Sequence, residues 1–126
     1  MGGNALKNQL YKEKAYEFNI VRECEILSIS CKKIMKAIDN TDLELMSTSF
    51  NFIVSSCNQI RRTKAPLKYV QIYKDIRRVC NLLMKIYHNI FHRFIDEIWV
   101  NKYNEKISEV AELLKIPLSK IENVNI

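Results

Sequence analysis

Between Asn4 and Leu114 the chain has no glycine and a single proline, Pro66. Sheet proteins need many tight turns, and tight turns draw on Gly, Pro, Asn and Asp for backbone angles that other residues resist. The scarcity therefore excludes sandwiches and barrels, together with any glycine-rich loop that would cradle a phosphate. An all-α fold remains. At 126 residues the chain is the size of one domain. Its 48% hydrophobic and 27% charged residues are proportions of a globular chain rather than a disordered one.

Apolar periodicity places the helices. Ile20, Cys24, Leu27, Cys31, Ile34 and Ile38 step by four and three, the mark of a helix with one buried seam. Leu6 and Leu10 extend it backward, predicting a first helix over 5–38. The stretch Asp39-Asn40-Thr41-Asp42 breaks it, because these side chains bond to nearby backbone and favour turns. Thr41 with Glu44 three residues on reads as a capping box for a second helix. That helix carries Leu43, Met46, Phe50, Ile53, Cys57 and Ile60 and ends between Arg62 and Lys64, since Pro66 disfavours helical geometry just before it. Pro66 suits the first turn of a third helix, where a missing N–H costs nothing.

The third helix has the longest pattern: Tyr69, Tyr73, Ile76, Cys80, Leu83, Tyr87, Ile90 and Phe94. A polar row, Lys74, Arg78, Asn81, Lys85, His88 and His92, lies opposite that seam at about 100° per residue. Asp96 and Asn101 are candidate breaks before a fourth helix with Tyr103, Ile107, Val110 and Leu114. Pro117 is expected to end it, leaving 116–126 as a tail or one further turn. Four amphipathic helices with short connections predict a single domain over 1–126, an antiparallel up-and-down four-helix bundle.

Charge is the strongest functional signal. The net charge is +6, yet residues 1–60 carry seven basic and seven acidic side chains, and 94–126 carry four basic and six acidic. Residues 61–93 hold nine basic side chains and one acidic, Asp75. Concentrated positive charge points to a polyanion: nucleic acid first, then an anionic membrane or an acidic protein. No run approaches the ~20 apolar residues of a membrane span. The opening Met1-Gly2-Gly3-Asn4-Ala5-Leu6 offers a glycine for myristoylation but sets Leu6 where Ser or Thr is preferred.

The four cysteines, Cys24, Cys31, Cys57 and Cys80, form no C-x-x-C pair, and their spacings match no standard zinc module. All four fall on apolar seams, and no signal peptide opens the chain. They are expected to be buried free thiols in a reducing compartment, the cytoplasm.

No constellation carries catalysis. His88 and His92 are four apart on one face, but Asn89 stands where the metalloprotease motif has glutamate, and Cys80 lies about 80° round the helix from His88. Extra hydrogen-bonding groups on the basic stripe is the reading that follows, without metal or cofactor. Helical toxin ribonucleases place a histidine a few residues after an arginine; Arg78 is ten before His88. The carboxylate pairs Asp96/Glu97 and Glu105/Glu109 read as solvated helix surface. Ser55 and Ser56 beside Cys57 have no identifiable base. Tyr69, Tyr73 and Tyr87 interleave with basic residues and suit base stacking, although their seam positions read mainly as core.

Helices of this character resemble a family of small bacterial four-helix bundles. They are the proteins encoded in ribosomal-RNA intervening sequences and the accessory variability determinant of diversity-generating retroelements. Lys12-Glu13-Lys14-Ala15-Tyr16-Glu17 resembles the Lys/Ala/Tyr-rich opening of their first helix. The run from Leu67 to His88 resembles their Leu- and Arg-bearing third helix, and Tyr103 to Val110 the start of their last. The Gly-rich, Trp-containing end of that last helix is replaced here by Leu114-Lys115-Ile116-Pro117-Leu118. The resemblance implies a non-catalytic, homo-oligomeric, basic bundle that binds structured RNA and a reverse transcriptase. Its contact residues would be Arg61, Arg62, Arg77, Arg78 and Lys85.

Charge and position together nominate Arg61, Arg62, Lys64, Lys68, Lys74, Arg77, Arg78, Lys85, His88 and His92 as the nucleic-acid-binding set. The alternative is an adaptor whose basic face docks an acidic protein.

Overall fold

The computed structural model describes residues 2–92 and 101–124, with side chains over 3–91 and 103–121. Among them the fold is all-α, without strands. Helix α1 spans Gly2–Asp39, α2 Leu43–Arg62, α3 Val70–His92, α4 Asn101–Glu112 and α5 Lys115–Val124, with a 3-10 turn at Leu67–Tyr69 before α3. The expected seams are the core. Tyr16, Ile20, Cys24, Leu27, Cys31, Ile34 and Ile38 of α1 are buried against Met46, Phe50, Ile53, Cys57 and Ile60 of α2. The third face comes from Ile76, Cys80, Leu83 and Ile90 of α3, and Tyr103, Ile107, Val110, Leu114 and Ile121 close the far side. Each buried Ile, Leu, Val, Met or Phe among them contributes about 1.5–3 kcal/mol by leaving water.

Long-range pairs fix how the helices lie. Phe50 packs 5.5 Å from Tyr87 and 5.7 Å from Phe91, while Cys57 Sγ sits 4.0 Å from the carbonyl oxygen of Cys80. Asn104 of α4 donates to Asp39 at the end of α1 (2.6 Å), and Lys120 of α5 faces Asp75 of α3 (3.9 Å). The 3-10 turn is pinned to α1: the Tyr69 hydroxyl donates to Glu17 Oε1, and its ring stacks on Tyr16 at 5.6 Å.

Four expectations change. The cap of α2 is Asp42, whose carboxylate accepts from Leu45 N at 3.0 Å, and not Thr41. Thr41 has φ 50, in the left-handed region, and its hydroxyl donates to Asn40 O, so it makes the chain reversal rather than the cap. Leu43, at the first position of α2, is exposed, and Tyr73 and Tyr87 are only half-buried. In their place Ile72, Val79 and Ile86 are buried, because α3 packs against α2, α4 and α5 and so needs a wider apolar face than a two-helix seam. Pro117 does not end a helix. It is the third residue of α5, in the first turn, where the missing N–H had no intrahelical partner. Phe94 and Asp96 lie outside the described residues.

Helix α1 is far longer than its neighbours. Its 38 residues reach about 57 Å, against about 30 Å for the 20 residues of α2. Residues 3–12 are accordingly exposed throughout, with Leu6, Leu10 and Tyr11 uncovered.

Candidate nucleic-acid interface

The basic residues of the middle third separate into two places. Arg61 and Arg62 close α2, and Lys74, Arg77, Arg78, Lys85 and His88 lie exposed along α3. Relative to Lys74 these α3 positions fall within about 60° of one line, opposite Ile76, Leu83 and Ile90. Lys64 and Lys68 do not join them. Lys64 lines a groove of about 790 Å³ between 63–67 and the projecting part of α1. Lys68 sits 3.9 Å from Glu13 and 5.5 Å from the ring of Tyr69. The side chain of His92 lies outside the described residues.

What the fold brings together is a hollow of about 360 Å³ lined by Tyr73, Lys74, Arg77, Arg78 and Asn81. Arg61 reaches it from α2: its Nη2 donates to Asn81 Oδ1 at 3.1 Å. The Tyr73 hydroxyl returns the link, donating to the backbone oxygen of Arg61 at 3.3 Å. The Arg77 guanidinium lies 5.8 Å from the centre of the Tyr73 ring. Ion pairs among the described residues are Arg22–Glu23, Lys68–Glu13, Lys115–Glu112 and Lys120–Asp75, so none involves Arg61, Lys74, Arg77 or Arg78. Asp75, the lone acid of the middle third, is held elsewhere by Lys120 and by Gln71 Nε2 at 3.0 Å. Three cations therefore line one hollow, with Arg61 bonded to its wall, and no carboxylate lines it.

The thiols beneath register that field. Contact with Cys80, and then burial, push the Cys57 thiol up, while Arg61 pulls the other way. The Cys57 contact first, and then Arg61 and Arg77 against burial, pull Cys80 down. On the α1 side burial pushes Cys24 and Cys31 up to about 12, with Cys80 and then Glu23 and Glu25 adding to the rise at Cys24. All four cysteines are free and buried. Among the described residues no three His, Cys, Asp or Glu side chains are grouped to hold a metal ion, and no helix is long and apolar enough to cross a membrane.

Two residues of the hollow were absent from the sequence-based set. Asn81 stands on the polar row without a role, and Tyr73 reads mainly as core, with base stacking as its second reading. Their signal was the spacing Tyr73, Arg77, Asn81, which steps by four along one row of α3. No protein-family model, curated protein or solved structure matches the chain.

Proposed function

We propose that this chain is a non-catalytic RNA-binding protein of the cytoplasm, in which α1–α4 form an antiparallel up-and-down four-helix bundle. In place of the expected tail or single turn, α5 adds a short helix against α3 and α4. The pairing of early α2 with late α3 (Phe50 with Tyr87 and Phe91) and of late α2 with early α3 (Arg61 with Tyr73) supports that topology. One observation carries the function: Lys74, Arg77 and Arg78 line a hollow free of carboxylates, and Arg61 is bonded to its wall at Asn81. Clustered cations repel one another, and a phosphate backbone relieves that repulsion while releasing its condensed counterions. Four buried free thiols suit a reducing compartment. The family resemblance adds a reverse transcriptase as the protein partner. The exposed Leu6, Leu10 and Tyr11 of α1 offer an apolar face for that contact or for a homo-oligomer.

The test is anisotropy of a labelled mixed-sequence RNA across a salt series. Affinity should fall steeply with salt, and R78E/K85E should weaken binding about tenfold or more and flatten the slope by about two units. Reversals at Lys106 and Lys115 of the acidic third should do little; Lys115 already pairs with Glu112 at 2.9 Å. Failure of the parent to bind RNA hands the basic face to the adaptor reading, in which the same cations dock an acidic protein.

A further inference from the structure

A surface that only tracks phosphates needs cations and nothing more. The α3 hollow has a further part: an aromatic ring with a guanidinium beside it, Arg77 Cζ lying 5.8 Å from the centre of the Tyr73 ring. The ring is held in place, its hydroxyl tied to the backbone of Arg61 and its body half-buried. Asn81 is fixed as well, since its Oδ1 accepts from Arg61. Its amide nitrogen keeps two donors that no described group accepts, the complement of the carbonyl oxygens and ring nitrogens on a base edge. The depression is shallow and open, about 360 Å³, so it would cover one face and an edge of a planar group and leave the rest of a strand in solvent.

We propose that this hollow takes one unpaired nucleotide of a single-stranded RNA. Its base stacks on the Tyr73 ring or the Arg77 guanidinium with Asn81 at its edge, and its phosphate rests among Arg61, Lys74 and Arg78. This rests on the RNA-binding reading and narrows it. A duplex keeps its bases stacked inside and offers proteins mainly phosphates and 2′-hydroxyls, whereas a loop or single strand exposes faces that aromatic and guanidinium planes can cover. Planar groups inside a concavity serve the second kind of ligand and are idle for the first.

The decisive variant is R77K, which keeps the charge of an exposed residue and removes the plane. Y73L removes the ring and retains a side chain that packs, with its helicity checked by circular dichroism. Each full-length protein is titrated with a labelled single strand carrying 2-aminopurine, and with the same strand annealed to its complement. The parent should prefer the single strand by about tenfold and change the 2-aminopurine emission on binding. R77K should lose most of that preference and the emission change while keeping its salt slope, and folded Y73L should do the same. Equal affinity of the parent for both RNAs, or a preference that survives in R77K, overturns the unpaired-nucleotide site and leaves RNA binding standing. Binding to neither RNA overturns both.

Discussion

Two hollows on this molecule are built from nearly the same parts. The one on α3, tied to α2 through Arg61, has a volume of about 360 Å³ and an Arg–aromatic contact of 5.8 Å, Arg77 with Tyr73. The other, on α1, has about 430 Å³ and an Arg–aromatic contact of 5.8 Å, Arg22 over Phe18. Each also has a lysine, Lys74 in the first and Lys14 in the second. They part in their acids. The α1 hollow includes Glu17 and Glu25, and Arg22 faces Glu23 at 3.7 Å. The α3 hollow has no carboxylate lining it and gains Arg61 through Asn81. An arginine on a ring is thus ordinary packing by itself, and uncompensated charge separates a ligand surface from a solvated face. The rings differ too: Phe18 is 69% exposed, while Tyr73 is half-buried and tethered to Arg61.

The largest expected effect comes from reversing charge in each hollow in turn. K74E/R78E should weaken RNA binding about tenfold or more, with a salt slope shallower by about two units. K14E/R22E carries the same change in charge and should leave anisotropy titrations within about twofold of the parent, because Arg22 already faces Glu23 and both cations line a hollow with Glu17 and Glu25. All four positions are exposed, so both proteins should keep the parent's helicity. Equal losses in the two would mean that net charge alone drives binding and that the α3 hollow has no special part in it.

The helices were legible in the sequence because their buried seams repeat with a period that only a helix satisfies. Cys24, Leu27, Cys31 and Ile34 had no other arrangement that would hide them together. The hollow was legible in part. Charge counting found Arg77 and Arg78, since exposed cations announce themselves by composition. It assigned Lys68 to the same surface, which the 3-10 turn instead carries toward Glu13 on α1. Asn81's role and the tether of Tyr73 were hidden for a physical reason: both exist only across two helices, through Arg61, twenty residues from Asn81. Likewise Asp42 and Thr41 are both good caps by type, and only backbone geometry decides between them. Periodicity reports which side of a helix is buried; it does not report what the exposed side will meet.

The second effect reads the same contrast from within the core. Cys24 lies on the side of Glu23 and Glu25, and burial first, then Cys80 and those carboxylates, raise its thiol to about 12, from an ordinary 9.0. The folded state therefore holds this proton after the unfolded chain has released it. Its contribution to stability is fully present below pH 9 and is lost as pH climbs toward 12. Over the first pH unit above 9 the loss should be about 1 kcal/mol from this thiol. Urea unfolding across that unit should show a shallower decline in C24A than in the parent. A parallel decline would mean that the thiol titrates in the folded protein much as it does in the unfolded chain.

The smallest effect is a gain. If missing carboxylates make the α3 hollow a ligand surface, adding positive charge on α1 should move its counterpart part of the way. Glu25 is exposed, makes no ion pair among the described residues, and lines the α1 hollow with Lys14 and Arg22. E25K should raise affinity for single-stranded RNA by about threefold or less, and steepen the salt slope by up to about one unit. The gain should be equal for single-stranded and duplex RNA, since among the described residues Phe18 has no tether and no counterpart of the Asn81–Arg61 link lies beside it. The same change removes one carboxylate that helps raise Cys24, so the alkaline decline in stability should become slightly shallower. Absence of any gain in affinity, in a protein whose alkaline profile has shifted, would show that charge balance does not distinguish the two hollows. The tethered ring and the Asn81–Arg61 link would then be what makes one of them bind.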